Sequence, residues 1–165
     1  LDRQLEALHE SWAGRSALGA STSLGPATVR GRIPLLFGGD PTRAGARAAR
    51  WDGGFTIGGA PAAAAAGMVQ AFRESYAAVG GRGVPRVVCL AYFGLGDEEE
   101  SLRQLRAYYA FGGDRAETIA AGAARSADEI RARLEAYEAM GADEVVFSPS
   151  VPDPDQVDRL AEIVA

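Results

Sequence analysis

The chain contains no lysine and no asparagine, and all 17 of its basic residues are arginine. A chain without lysine cannot form a Schiff base with a carbonyl substrate and cannot use an amine as a general base. It also lacks the lysine with which a P-loop holds a phosphate. The missing residue type therefore removes three classes of chemistry from consideration.

Histidine and cysteine each occur once. His9 lies in the first predicted helix and has no second histidine to complete a metal site or a serine–histidine–acid triad, so we expect no metal centre. Cys89 lies in the apolar run Val87-Val88-Cys89-Leu90, which is typical of a buried structural thiol. A single cysteine gives no internal disulfide, and we expect a reducing, cytoplasmic location.

Charge and hydropathy exclude two kinds of partner. Apolar residues make up 47% of the 165 positions, yet no run approaches the roughly 20 residues of a membrane span. The net charge is −5 and the arginines are scattered, which argues against nucleic acid or an anionic membrane as the main partner. The length predicts a single domain over 1–165.

A short unit organises the rest of the chain. Residues 32–37 form an apolar run that ends at Gly38-Gly39, and Asp40-Pro41 is a favoured N-cap and first residue of a helix. An apolar strand, a tight turn and a helix start together describe one βα unit of a parallel sheet. Glycines let backbone N–H groups approach a ligand, and a helix start favours anions.

The same unit recurs three times. Further apolar runs end in small residues and precede helices, at residues 55–57, 86–93 and 144–147. Residues 1–13 form a helix by their spacing, 14–31 a loop, and 111–124 an irregular or weakly helical insertion. The last helix is predicted to start at an Asp153 N-cap and to bury its apolar side chains Val157, Leu160, Ala161 and Val164.

Four βα units predict a parallel sheet with right-handed crossovers. Two arrangements fit the pattern: an open doubly wound sheet, or four units of a (β/α)₈ barrel. Both place the functional groups at the carboxyl ends of the strands.

Four segments carry a family resemblance: Ile33-Pro34-Leu35-Leu36-Phe37-Gly38-Gly39, residues 47–55, Leu90-Ala91-Tyr92-Phe93 and residues 142–149. They resemble the fifth to eighth strands, with neighbouring helices, of luciferase-like monooxygenases, which are flavin- or deazaflavin-dependent enzymes. The resemblance covers nearly the whole chain. It implies a TIM-barrel-type (β/α)₈ fold of the bacterial luciferase-like kind, here about half of it, as its last four βα units (residues 32–165).

The resemblance implies an oxidoreductase or monooxygenase that transfers hydride through FMN or a deazaflavin coenzyme, in some members with insertion of oxygen from O₂. The substrate would be a small organic molecule, and the coenzyme supplies the organic chemistry. The implied coenzyme-binding positions are Gly38, Gly39, Asp40, Thr42 and Arg43.

The candidate substrate contacts lie at the ends of the later strands: Gly58, Tyr92 and Phe93. No side chain stands out as a catalytic acid or base. Asp40-Pro41 replaces the serine or asparagine that relatives commonly carry after the glycine pair. A carboxylate there occupies helix amides and repels a phosphate.

Two other hypotheses stay open. A non-catalytic or truncated half-barrel would have two open sheet edges and an uncovered face, so it would associate with other chains. We therefore expect a homo-oligomer or a longer native chain. An open-sheet nucleotide-binding module is the third hypothesis, and the sequence lacks the G-x-G-x-x-G fingerprint that such a module carries.

Overall fold

The computed structural model describes residues 1–23 and 25–165. Two compact units make up the chain, Leu1–Leu35 and Leu36–Ala165. The first unit contains helix α1 (Asp2–Trp12), as predicted, followed by an irregular segment whose Thr28 amide donates a 2.9 Å hydrogen bond to the Trp12 carbonyl. Leu24, which belongs to the predicted loop 14–31, lies outside the described residues. The single domain over 1–165 stays a prediction.

The second unit is built on a parallel sheet of four strands that lie side by side in chain order. The strands are β1 (Leu36–Phe37), β2 (Gly54–Gly58), β3 (Val87–Phe93) and β4 (Glu144–Pro149). Among the described residues the strand order does not reverse, so this sheet has no switch point of the doubly wound kind. Consecutive neighbouring strands are consistent with a partial TIM-barrel-like fold.

Helices cover one face of this sheet. The helices of the second unit are α2 (Pro41–Trp51), α3 (Ala62–Ala78), α4 (Glu98–Tyr108), α5 (Asp114–Ala121), α6 (Ala127–Ala139) and α7 (Asp155–Val164). In this layer α2 packs on α3, α3 on α6 and α6 on α7. The Phe55 ring of β2 stacks on the Phe72 ring of α3, with centroids 4.6 Å apart.

The segment between β3 and β4 contains more structure than the sequence suggested. Within residues 111–124, predicted as an irregular or weakly helical insertion, α5 is a regular helix that packs against α4. Its Ala120 side chain joins Leu105 of α4 in a buried cluster. Tertiary packing of small side chains stabilises this helix, since a helix of eight residues is too short to be stable in isolation.

Strand β1 is shorter than predicted. Residues 32–37 were expected to form it, but only Leu36 and Phe37 pair with β2. Since β2 begins at Gly54, the partner of Leu36, the residues before Leu36 have no strand beside them. Pro34 also lacks the N–H that a sheet ladder needs.

Helix α7 buries a different face from the one predicted. Gln156 is 1% exposed, whereas Val157 is 61% exposed; Val164 and Ala161 are exposed too, and Leu160 is half-buried. The Gln156 amide bonds both backbone groups of Leu95, and this polar requirement outweighs the apolar pattern. The helix begins at Asp155, and Asp153 accepts a hydrogen bond from the Asp155 amide.

The two faces of the sheet differ in their cover. Side chains alternate along a strand, so Phe55 and its neighbours Ile57, Val87 and Cys89 point to the helices and are buried. The second face carries Leu36 on β1 and Val146 on β4, which are 41% and 42% exposed. An apolar surface therefore lies on the face away from α3, α6 and α7.

Candidate functional site

Three of the predicted ligand positions share the second face of the sheet, at the carboxyl ends of three strands. A Cβ atom placed on Gly38 would lie 3.5 Å from Thr56 Cγ2, which sets Gly38 beside Thr56. Two residues further along β2, Gly58 pairs with Leu90, and two residues further along β3, Tyr92 pairs with Ser148. Because side chains at i and i+2 point to the same side, Gly38, Gly58 and Tyr92 lie on one face of the sheet, near the carboxyl ends of β1, β2 and β3.

The turn after β1 holds the predicted coenzyme contacts. Gly38, Gly39, Asp40, Thr42 and Arg43 are all exposed. Asp40 caps α2 as predicted, since its carboxylate accepts a 2.9 Å hydrogen bond from the Arg43 amide. The carboxylate thus takes one helix amide and adds negative charge where a phosphate would bind. A Cβ atom on Gly39 would meet nothing within 4 Å, and this open space suits a close approach of an uncharged part of a ligand.

A cleft of about 300 Å³ lies at the carboxyl ends of β3 and β4. Tyr92 and Ser148 line it from the sheet, and Gln104 and Tyr108 line it from α4. Leu105, Pro149 and Ser150 complete the lining. None of these lining residues carries a charge, so the cleft offers hydroxyl and amide groups together with apolar surface.

Tyr92 is bonded to a second tyrosine beside the cleft. Its hydroxyl lies 2.5 Å from the hydroxyl of Tyr109, and the two rings meet edge to face. Burial raises the pKa of Tyr92 well above its ordinary range. The phenol therefore keeps its proton at neutral pH and can act as a hydrogen-bond donor.

A chain of buried hydroxyls fixes the turn after β3. Ser150 Oγ donates to the Phe93 carbonyl at 2.8 Å, so the 2.6 Å contact between the two serine hydroxyls has Ser101 as donor. Gly94 lies directly against this pair: a Cβ atom there would come within 2.5 Å of Ser101 Oγ. Glycine is required at Gly94 because the hydroxyl pair occupies the space of a side chain.

Phe93, predicted as a substrate contact, lies elsewhere. Its side chain points to the helix face, is 1% exposed and packs in a core cluster with Ala124 and Ile130. Its ring also meets that of Phe147 at 6.0 Å. A one-residue step along a strand reverses the face, so Tyr92 reaches the cleft and Phe93 does not.

Several residues of the cleft were not proposed from the sequence as site residues. No role was assigned from the sequence to Gln104, Tyr108, Tyr109 or Ser150. The one available signal was the adjacent aromatic pair Tyr108-Tyr109, of which Tyr108 remains 69% exposed.

The described part of the chain shows neither a metal site nor a membrane-spanning helix. Over residues 1–23 and 25–165, no group of three or more His, Cys, Asp or Glu side chains could hold a metal ion. No helix in this described part is long and apolar enough to cross a membrane. Cys89 is buried, and burial raises the pKa of its thiol.

No family model and no curated protein matches the chain. Solved structures do. An F420-dependent secondary alcohol dehydrogenase in complex with an F420–acetone adduct superimposes with a TM-score of 0.68 at 16% identity, over 87% of this chain and 51% of that one. The monooxygenase RslO1 from Streptomyces bottropensis gives 0.55 at 17% identity, over 92% and 54%.

A third solved structure, apo-MsnO8, gives a TM-score of 0.62 at 17% identity, over 98% of this chain and 58% of that one. At these identities the likeness shows a common fold. The chain spans about half the length of the solved structures that it matches.

Proposed function

We propose that this chain is the C-terminal half of a luciferase-like barrel that binds FMN or a deazaflavin coenzyme such as F420 and transfers hydride between it and a small organic substrate. The observation that supports this most is that Gly38, Gly58 and Tyr92 lie on one face of the sheet, at the carboxyl ends of three strands. The fold of this sheet matches that of an F420-dependent dehydrogenase. In such a site the coenzyme supplies the redox chemistry, and the protein supplies position and electrostatics.

The residues of this chain suit the ring and ribityl part of such a coenzyme better than its phosphate. Gly39 and Gly58 leave open space, so a flat ring or a ribityl chain can lie against the backbone. Asp40 disfavours a phosphate at the start of α2. We therefore assign Gly38, Gly39, Thr42 and Arg43 to the coenzyme's ring or ribityl part, and Gly58 and Tyr92 to the substrate side.

The direct test is a titration of the purified chain with FMN and with F420, followed by gel filtration and a visible spectrum. We expect one of the two coenzymes to stay with the protein. A protein that retains neither in its intact native form would remove the proposal.

A Gly38→Ala variant tests the turn itself. The added methyl group would lie 3.5 Å from Thr56 Cγ2, an ordinary contact, so the fold tolerates it while the surface offered to the coenzyme changes. We expect about tenfold weaker coenzyme binding, as for the loss of one good contact. Gly39 is less suitable, because its φ of 92° would strain any other residue.

The matched control for Gly38→Ala is Gly67→Ala. Gly67 lies in α3, and a Cβ atom there meets nothing within 4 Å. Coenzyme affinity should be unchanged in this variant. If Gly38→Ala also binds with the affinity of the original protein, the turn has no part in binding.

A second candidate function is association without catalysis, through the second face of the sheet. Exposed Leu36 and Val146 on that face favour it. We then expect light scattering to give the mass of a dimer or larger assembly, and Val146→Glu to shift it toward the monomer. Val157→Glu, on the exposed surface of α7, is the control that should leave the mass unchanged. A monodisperse monomer of the original chain would contradict this hypothesis.

A further inference from the structure

The hydroxyl pair of Tyr92 and Tyr109 has one proton more than its own hydrogen bond uses. Each phenol carries one O–H and can also accept a hydrogen bond. The 2.5 Å contact between the two oxygens consumes one of the two protons. Among the described residues, neither hydroxyl makes another hydrogen bond, so the second proton is available to a ligand.

The position of the two rings indicates which hydroxyl holds the available proton. Both rings pack on the cluster of Leu105 and Ala120, but of the two only Tyr92 is a lining residue of the cleft. Tyr109 therefore donates to Tyr92, and Tyr92 donates into the cleft. A hydroxyl that accepts a hydrogen bond becomes a stronger donor, because the bonds of a chain polarise one another.

Two further features indicate the kind of ligand. Ser148 is the cross-strand partner of Tyr92 on the same face, so its hydroxyl is a second donor in the same cleft. The lining has no charged residue, and an apolar rim is provided by Leu105, Pro149 and the exposed ring of Tyr108. A compact anion such as a carboxylate or phosphate would lack a counter-charge there. A flat ring with a delocalised oxygen anion fits the cleft better.

We propose that Tyr92, positioned by Tyr109, is a hydrogen-bond donor to the phenolate or enolate oxygen of a conjugated ring in this cleft. This assignment rests on the proposed function, since it names the substrate class of the same site. Tyr92 contacts the ligand oxygen. Tyr109 acts through Tyr92 and is a positioning residue.

The test uses 4-nitrophenol as the probe, with the full chain and no coenzyme, because the probe's absorption distinguishes its phenol from its phenolate form. A donor favours the charged form, so the pKa of the bound probe should be lower than that of the free probe. Tyr92→Phe should weaken binding of the phenolate about tenfold, as expected for the loss of one hydrogen bond to a charged group, and abolish most of the shift. Tyr109→Phe should reduce the shift with a smaller loss of affinity.

Tyr76→Phe is the matched control. Its hydroxyl donates a 2.8 Å hydrogen bond to the Arg82 carbonyl and takes no part in the cleft. The variant removes one phenol hydroxyl without touching the donor pair, so probe affinity and probe pKa should equal those of the original protein. Circular dichroism confirms that each variant folds, and Tyr109→Phe alone decides the assignment if Tyr92→Phe does not fold.

The outcomes separate this inference from the proposed function. It is overturned if the original protein fails to bind the probe, if the bound probe has a raised pKa as in a merely apolar pocket, or if Tyr109→Phe leaves the shift intact. The coenzyme titration is run separately. Retained coenzyme without a lowered probe pKa rejects the donor site alone, and a lowered probe pKa without retained coenzyme rejects the flavin function alone.

Discussion

Gly45→Ala should destabilise the protein by about 2 kcal/mol, although alanine is the better helix former. Gly45 lies in α2 where it crosses α3, and a Cβ atom there would come within 2.5 Å of the Phe72 carbonyl oxygen and 2.9 Å of the Tyr76 amide nitrogen. Backbone atoms cannot move aside as a flexible side chain can. Overpacking costs up to about 3 kcal/mol, and the helix propensity of alanine offsets about 1 kcal/mol of it.

The measurement is the free energy of unfolding from urea denaturation, with Gly67→Ala as the matched control. The same substitution in α3 meets open space, so only the propensity difference acts there. We expect that variant to gain about 0.5–1 kcal/mol. Equal stabilities of the two variants would show that α2 and α3 do not pack as closely as described.

Gln156→Leu should cost about 2 kcal/mol although it replaces a buried polar side chain by an apolar one. The Gln156 amide accepts from the Leu95 N–H at 2.8 Å and donates to the Leu95 carbonyl at 2.9 Å. Arg159 also donates to the Leu95 carbonyl, so that carbonyl keeps a hydrogen-bond partner in the variant. The Leu95 N–H loses its acceptor, and this loss carries most of the cost. An unsatisfied buried backbone group costs about 1–3 kcal/mol.

Gln70→Leu is the control for Gln156→Leu. Gln70 is exposed on α3, where its side chain bonds only the neighbouring Glu74 carboxylate among the described residues. Surface substitutions of this kind stay within about 0.5 kcal/mol. If Gln156→Leu is as stable as Gln70→Leu, water satisfies the Leu95 backbone and the two hydrogen bonds of Gln156 contribute nothing to the stability of the protein.

Much of the fold follows from local pattern. Asp40 was predicted to cap a helix, and like Asp97 and Ser126 it accepts a hydrogen bond from the amide three residues later. Capping needs only a polar side chain and the free amides of the first turn, so it can be seen in the sequence. The four βα units were likewise predicted from short apolar runs that end in small residues, since strands buried on both faces have this composition.

The misplaced elements depend on distant partners. Residues 33–35 are as apolar as a strand, but β2 begins too late to pair with them. Helix α7 has apolar side chains on two faces, and the hydrogen bonds between Gln156 and Leu95 select which face is buried. A pattern within one segment does not contain the position of another segment, so neither outcome could be predicted.

The sequence by itself determined that chemistry which depends on lysine is absent from this chain. It also determined the βα repeat, the helix caps and the glycine turn that follows β1. These depend on residue type and on neighbours within a few positions. Only the tertiary structure decided that Tyr92 and not Phe93 faces the cleft, and that Tyr109, directly after α4, meets the Tyr92 hydroxyl. Strand register and the packing of α4 against α5 set those contacts, and both arise from pairing between segments far apart in the chain.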